Sequence, residues 1–209
     1  MKFRSITSKD YPKLLELDKK VYPTDNPVTP RVLDQWFQNN PGFGMIFEKQ
    51  RRLYGLCIAI PLNKRGWNKL VSGKLAEADL NKKTIFDNKR DHELGIHIYH
   101  LEKFGNSNKF YVESLQGLGE IVKKLKRNNS QLKVIGFSGL AVTTQGIGLL
   151  YNKLNCRERS FISTEHILRK EKHLEIFNSD SQEALEKKLK DGYEYINRCK
   201  MLITYPNEL

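Results

Sequence analysis

The sequence has no apolar run long enough to cross a membrane. Its longest, YGLCIAIPL and VIGFSGLAV, fall far short of the roughly 20 residues a span requires. The opening MKFRSITSKDYPKLL carries no apolar stretch of signal-peptide length, so a cytoplasmic (or nuclear) location is expected. Cysteine is scarce. Cys57, Cys156 and Cys199 are odd in number, widely separated and without paired metal spacing, which argues against a disulfide framework and for reduced thiols. No internal repeat, low-complexity tract or linker is visible, so one domain over residues 1–209 is expected.

What is present is an ordinary globular composition with an unusual charge. A hydrophobic share of 39% against 29% charged excludes disordered and fibrous classes. The formal charge of +12 admits a nucleic-acid surface or acidic substrates. The lysines are spread along the whole chain, however, and the densest run, KKLKRNNSQLK (123–133), fits a solvated helix end and a turn. Composition accounts for the charge without an RNA or DNA partner.

Periodicity lays out the elements. MKFRSIT alternates like a half-buried strand, and Leu14, Leu17 and Val21 form a helical face that Pro23 stops. A second helix has Thr29 as its cap, Pro30 at its first position, and Val32, Leu33, Trp36 and Phe37 on its apolar side. FGMIFE and LYGLCIAIPL read as an antiparallel hairpin. Residues 63–92 are polar and mixed, too long for a plain connection, and expected to carry local structure or function. ELGIHIYHLEKF (93–104) is the next strand. Tyr111, Leu115, Leu118, Val122 and Leu125 make the strongest helical stripe, followed by a strand at 132–142. GIGLLYNKLNCRE (146–158) continues as a short helix, RSFISTEHILR (159–169) as a strand, and 179–200 mostly as helix. This order implies an α/β (α+β) fold with a mixed, mostly antiparallel central sheet flanked by helices.

The order of elements resembles the GNAT superfamily of acetyl-CoA-dependent acetyltransferases across nearly the whole chain. The most specific match lies in the short helix. Family members typically carry Asn, an Ala three residues on, then Leu-Tyr, Lys, Leu and an exit through Gly-Phe. Leu150, Tyr151, Lys153 and Leu154 stand in those places. Thr144 replaces the asparagine and Ile147 the alanine, while Asn155 and Cys156 replace Gly-Phe. Asparagine tolerates the left-handed conformation that ends a helix, so Asn155 is a workable substitute.

The resemblance implies a GNAT-like acyl-CoA N-acyltransferase that moves acetyl from acetyl-CoA to a primary amine by direct attack. It implies that Tyr151 donates a proton to the departing thiolate; packing alone would also account for a tyrosine at this helical position. It places the cofactor along KFGNSNKFYVESL (103–115), where Lys103, Gly105, Asn106, Ser107, Asn108 and Lys109, with Leu101 just before it and Thr144, become the candidate contacts. Gly105 is the one glycine of the loop, and Lys109 and Tyr111 fall where the family has glycines. A rival placement reads the Gln-Gly-Ile-Gly run at 145–148 as the phosphate loop.

Glu93 and His97 are the candidate bases for the amine proton. A strict period of two puts Glu93, His97 and Tyr99 on one face, and His100 and Glu102 on the other with Ile96 and Ile98. On that pattern His92, His97 and His100 share no face, so no metal site is expected. Trp67, Glu77 and Asp79 in the insert are placed to contact an amine or to pack as a lid. A catalytically degenerate GNAT-like binding or scaffold domain is the alternative from another class. A basic RNA-associated protein, motivated by charge alone, is the third.

Overall fold

Apolar runs of strand length build the sheet, and glycines let bulky rings reach it. The computed structural model describes residues 3–21, 28–49, 52–104, 109–158 and 195–204. The expected hairpin forms, with β2 (Gly44–Lys49) antiparallel to β3 (Arg52–Asn63). Strand β1 (Phe3–Ser5) pairs with β2 on one side, and β4 (Glu93–Lys103) pairs antiparallel with β3 on the other. Next come β5 (Lys133–Thr143), β6 (Arg157–Glu158) and β7 (Tyr195–Thr204). The seven-stranded order is β1-β2-β3-β4-β5-β7-β6. Among the described strands, only the β4–β5 pair is parallel.

Among the described residues, five α-helices cover the two faces. Helices α1 (Tyr11–Val21) and α2 (Pro30–Phe37) share one face with α3 (Lys64–Val71). Thr29 caps α2 as expected, its side chain accepting from the Val32 N–H beside Pro30. On the buried side of α1 the residues are Tyr11, Leu14 and Asp18, whereas Leu17 is half-buried. The opposite face carries α4 (Phe110–Asn128) and α5 (Thr144–Leu154). Phe110 packs edge-on against Phe47, with ring centroids 5.1 Å apart. Among the described residues, no helix is long and apolar enough to cross a membrane.

The stretch at 63–92 has structure of its own. Asn63 caps α3 by accepting from the Gly66 N–H at 2.9 Å, and its amide donates to the Lys83 carbonyl. Phe86 N–H donates to the Pro61 carbonyl, and the buried Asn40 amide donates to the Phe86 carbonyl at 2.7 Å. Trp67 anchors the segment. A Cβ at Gly95 would lie 2.2 Å from the Trp67 ring, so only glycine in β4 lets that ring settle on the sheet. The insert is therefore a fixed layer over one end of β4, and a glutamate in its 3₁₀ turn at Glu77–Asp79 faces inward.

One expected element is corrected. Residues 195–200, read as the end of a helix, belong to β7. Their partner strand decides: Tyr195 faces Thr143 and Lys200 faces Ala141 of β5, and that pairing overrides the helical pattern of the preceding charged run. The expected strand at 159–169, and residues 179–194 of the expected helix, lie outside the described residues.

Candidate active site at the parting of two strands

Strands β4 and β5 run side by side only at first. Their parallel ladder extends from Glu93 and Lys133 to Ile98 and Gly139 and then ends. Beyond that point β4 continues to Lys103 against β3, and β5 continues to Thr143 against β7. The cause lies in the register of β4. Ala59 faces Ile98 and Ile58 faces His100, so Tyr99 is one residue extra in β4. Such a bulge bends and twists its strand, and here it turns β4 away from its parallel neighbour. The result is a wedge between two strand edges.

The same extra residue redistributes the side chains. Ile60, Ile58 and Leu56 are alternate residues of β3, and they face His97, His100 and Glu102. All three therefore share one face. The expectation that His100 and Glu102 lie with Ile96 and Ile98 is corrected, because a period of two fails across a bulge. Tyr99 points the same way. Its ring meets Trp36 edge-on at 4.9 Å, and its hydroxyl donates to Asp18 Oδ1 at 2.6 Å.

This face holds a buried polar network. His97, 0% exposed, has Nδ1 2.8 Å from Ser138 Oγ of β5 and Nε2 2.5 Å from Glu77 Oε1 of the insert. His100 Nε2 lies 2.9 Å from Glu102 Oε2. Buried polar groups are tolerated when partnered, and the contacts among these side chains meet that requirement. Burial pushes the Asp18 carboxyl up to about 6, with nearby Glu77 adding to the rise, against the lowering effects of His100 and the Tyr99 hydroxyl. The Glu77 side chain remains 19% exposed, which gives the His97 end of the network a route to solvent.

On the other face, α5 crosses the sheet where the strands part. A Cβ at Gly139 would lie 3.0 Å from a Leu150 methyl and 3.3 Å from the Ile98 carbonyl oxygen. Tyr151, the next residue, is half-buried, with the Arg157 guanidinium 5.7 Å from its ring centroid. Asn155 ends the helix with φ 50°, the left-handed exit expected from its type, and Cys156 N–H donates to the Leu150 carbonyl at 2.9 Å.

The remaining candidates fall in several places. Leu101 and Lys103 are half-buried on β4 beyond the parting point, in register with Cys57 and Gly55 on the α4 side. Lys109 is exposed at the start of α4, and Gly105, Asn106, Ser107 and Asn108 lie outside the described residues. Thr144 opens α5 directly after β5, so the Gln-Gly-Ile-Gly run lies in a helix. Glu93 starts β4, paired with Lys64 Nζ at 3.0 Å. Four residues of strand, about 13 Å, separate it from His97. Trp67 is core, Asp79 is exposed, and Glu77 meets His97. Sequence reasoning missed Asp18 and Ser138. Asp18 carried a signal, a carboxylate one turn beyond Leu14 on a buried stripe, whereas Ser138 carried none.

No protein-family model and no curated protein matches the sequence. Solved structures do resemble it. Naa50 from Arabidopsis thaliana, in complex with the bisubstrate analogue CoA-Ac-MVNAL, aligns over 97% of both chains at 8% identity with a TM-score of 0.53. An arylalkylamine N-acetyltransferase-like protein (like 5b) of mosquito aligns over 98% of this chain and 99% of its own, at 14% identity and TM-score 0.52. Naa20 from Chaetomium thermophilum, also with a bisubstrate analogue, covers 100% of this chain and 88% of its own, at 8% identity and TM-score 0.50. At such identities the likeness is one of fold, and the fold is that of the GNAT acyl-CoA N-acyltransferases.

Proposed function

We propose that this GNAT-fold chain is an N-acetyltransferase that transfers acetyl from acetyl-CoA to a primary amine by direct attack. One observation carries the reading. β4 and β5 part at Ile98 and Gly139, with a histidine–carboxylate network on one face and the tyrosine-bearing helix on the other. A wedge between diverging strands suits an extended, amide-containing chain, which main-chain groups can hydrogen-bond. The start of the 19-residue α4, with Lys109 exposed there and Lys103 close in sequence, suits phosphate oxygens. Bound there, acetyl-CoA would supply an acetyl group activated as a thioester.

The chain's own residues would then handle two protons. His97 stands one residue before the parting point and serves as base for the proton the amine must lose. Glu93, held by Lys64 at the start of the strand, is the less suitable of the two base candidates. Tyr151 gives a proton to the sulfur as it leaves. Three carboxylates on this face, Glu77 against His97, Glu102 against His100 and Asp18 against the Tyr99 hydroxyl, favour a cationic acceptor, on a small molecule or a protein. Isothermal calorimetry with acetyl-CoA tests the reading: binding supports it, and no heat at millimolar acetyl-CoA removes it.

A second reading has its own observation. Lys109, Phe110 and Tyr111 place bulk in the opening turn of α4, where close approach of a pyrophosphate favours small residues. A GNAT-like binding or scaffold domain without acetyl transfer follows from that bulk, and the same calorimetry separates the two.

A further inference from the structure

Cations distant in the sequence meet at the end of the sheet where β4 and β5 begin. Asn129, the residue after α4, ties the parts together. Its amide donates to the Asp91 carbonyl at 3.0 Å, and its oxygen lies 3.2 Å from His92 Nδ1. The Lys133 N–H donates to the His92 carbonyl at 2.8 Å, which fastens the start of β5 to the same loop. Lys89 of the 87–92 loop, Lys126 and Arg127 of the last turn of α4, and Lys133 of β5 are all exposed. Spread out in the sequence, they belong to one surface in the fold. We propose that this surface docks the phosphate backbone of double-stranded RNA.

The carboxylates nearby are already engaged. Asp87 accepts from the Lys89 N–H at 3.0 Å and from Arg90 Nε at 2.9 Å, and Asp91 accepts from the Asp87 N–H at 2.8 Å. Glu93 faces Lys133 in the ladder, but its carboxylate goes to Lys64 Nζ at 3.0 Å. Among the described residues, no ion pair forms at the Lys89, Lys126, Arg127 or Lys133 side chains. The helix dipole would favour Lys126 and Arg127 at the end of α4 without any partner. It does not account for Lys89 and Lys133, which stand off the helix.

The groups between the cations decide the kind of polyanion. Asn128, Ser130 and Gln131 are exposed among them and can donate to phosphate oxygens or exchange hydrogen bonds with ribose hydroxyls. No aromatic residue occurs in 87–92 or 126–133, so base stacking on a single strand has no platform. Reading the major groove of DNA needs a helix or a strand pair lying in the groove. A helix end and two short segments are presented here, which suits the wide, shallow minor groove of an A-form duplex and its 2′-hydroxyls. The acetyl-CoA contacts proposed at the start of α4 lie at the far end of this 19-residue helix, about 28 Å away. RNA docking therefore stands apart from acetyl transfer.

The test uses the full chain and a fluorescently labelled 20-base-pair RNA duplex, read by anisotropy over a range of salt concentrations. Wild-type protein binds, with an affinity that falls steeply as salt rises. A variant carrying Lys89→Gln, Lys126→Gln, Arg127→Gln and Lys133→Gln binds about 10-fold more weakly or worse, and its salt slope is shallower by about 3. A control carrying Lys9→Gln, Lys13→Gln, Lys19→Gln and Arg31→Gln removes the same charge from exposed positions elsewhere and keeps most of the affinity. Saturating acetyl-CoA does not displace the duplex. No binding by the wild type at 50 mM salt overturns the proposal. So does an equal loss in the control, which makes net charge the cause. Equal or tighter binding to a DNA duplex of the same length overturns the assignment to RNA, and displacement by polyglutamate as effective as by unlabelled duplex overturns it in favour of an acidic protein.

Discussion

Replacing Asp18 by asparagine should make the protein more stable at neutral pH. Asp18 is 6% exposed, and burial raises its carboxyl from the ordinary 3.8 to about 6. Because the folded value lies above the unfolded one, this group contributes most to stability below pH 3.8. That contribution is lost as pH rises through about 6. At pH 7 the ionised carboxylate costs at most about 3 kcal/mol, from the gap between those two values at about 1.4 kcal/mol per unit. Asparagine has the same shape and keeps an oxygen for the Tyr99 hydroxyl, but it forgoes the attraction of His100. A gain of about 1–2 kcal/mol at pH 7 remains. Urea unfolding of both proteins at pH 4 and pH 7 measures it. Asp18→Asn should be clearly more stable at pH 7, and the difference should shrink at pH 4. A variant that is equally stable or weaker at pH 7 refutes the reasoning.

Two other substitutions probe opposite faces of the parting point. Tyr151→Phe should lower kcat about 10²-fold or more, with acetyl-CoA affinity unchanged by calorimetry; an unchanged rate removes the acid role. Gly95→Ala forces a methyl against the Trp67 ring and should cost about 1–3 kcal/mol, read as a lower midpoint in urea. An unshifted midpoint there would mean that the insert does not rest on β4 through Trp67.

The elements legible in the sequence were those whose signals are local. The β2–β3 hairpin, the α4 stripe and the Thr29 cap each depend on a few adjacent residues. Asn155 is the sharpest case, because it stands where the resembling family has the exit glycine and its type tolerates the left-handed conformation it takes. The chemistry of the candidate site was less legible because it depends on one unannounced residue. Tyr99 is as good a strand former as its neighbours, and nothing in ELGIHIYHLEKF marks it as extra. Its insertion brings His97, His100 and Glu102 to one face. Glu77 and His97 lie 20 residues apart in the chain, and their contact arises from the way α3 and Trp67 dock. The helical reading of 195–200 failed for a related reason, since partners distant in sequence decide that segment.

The position of β5 has a consequence for synthesis. Ser138 belongs to a strand with two neighbours, β4 before it in sequence and β7 more than fifty residues after it, where Ser138 faces Ile203. A chain emerging from the ribosome builds the hairpin and β4 first, while β5 waits as an open edge until Tyr195–Thr204 arrives. The wedge thus receives its second supported wall among the last events of folding, and a polypeptide stalled before Tyr195 would present α5 and Ser138 on an unfinished sheet. The acetyl transfer proposed for this chain would therefore wait on the docking of Tyr195–Thr204 against β5, and products stopped short of it would lack that wall of the wedge.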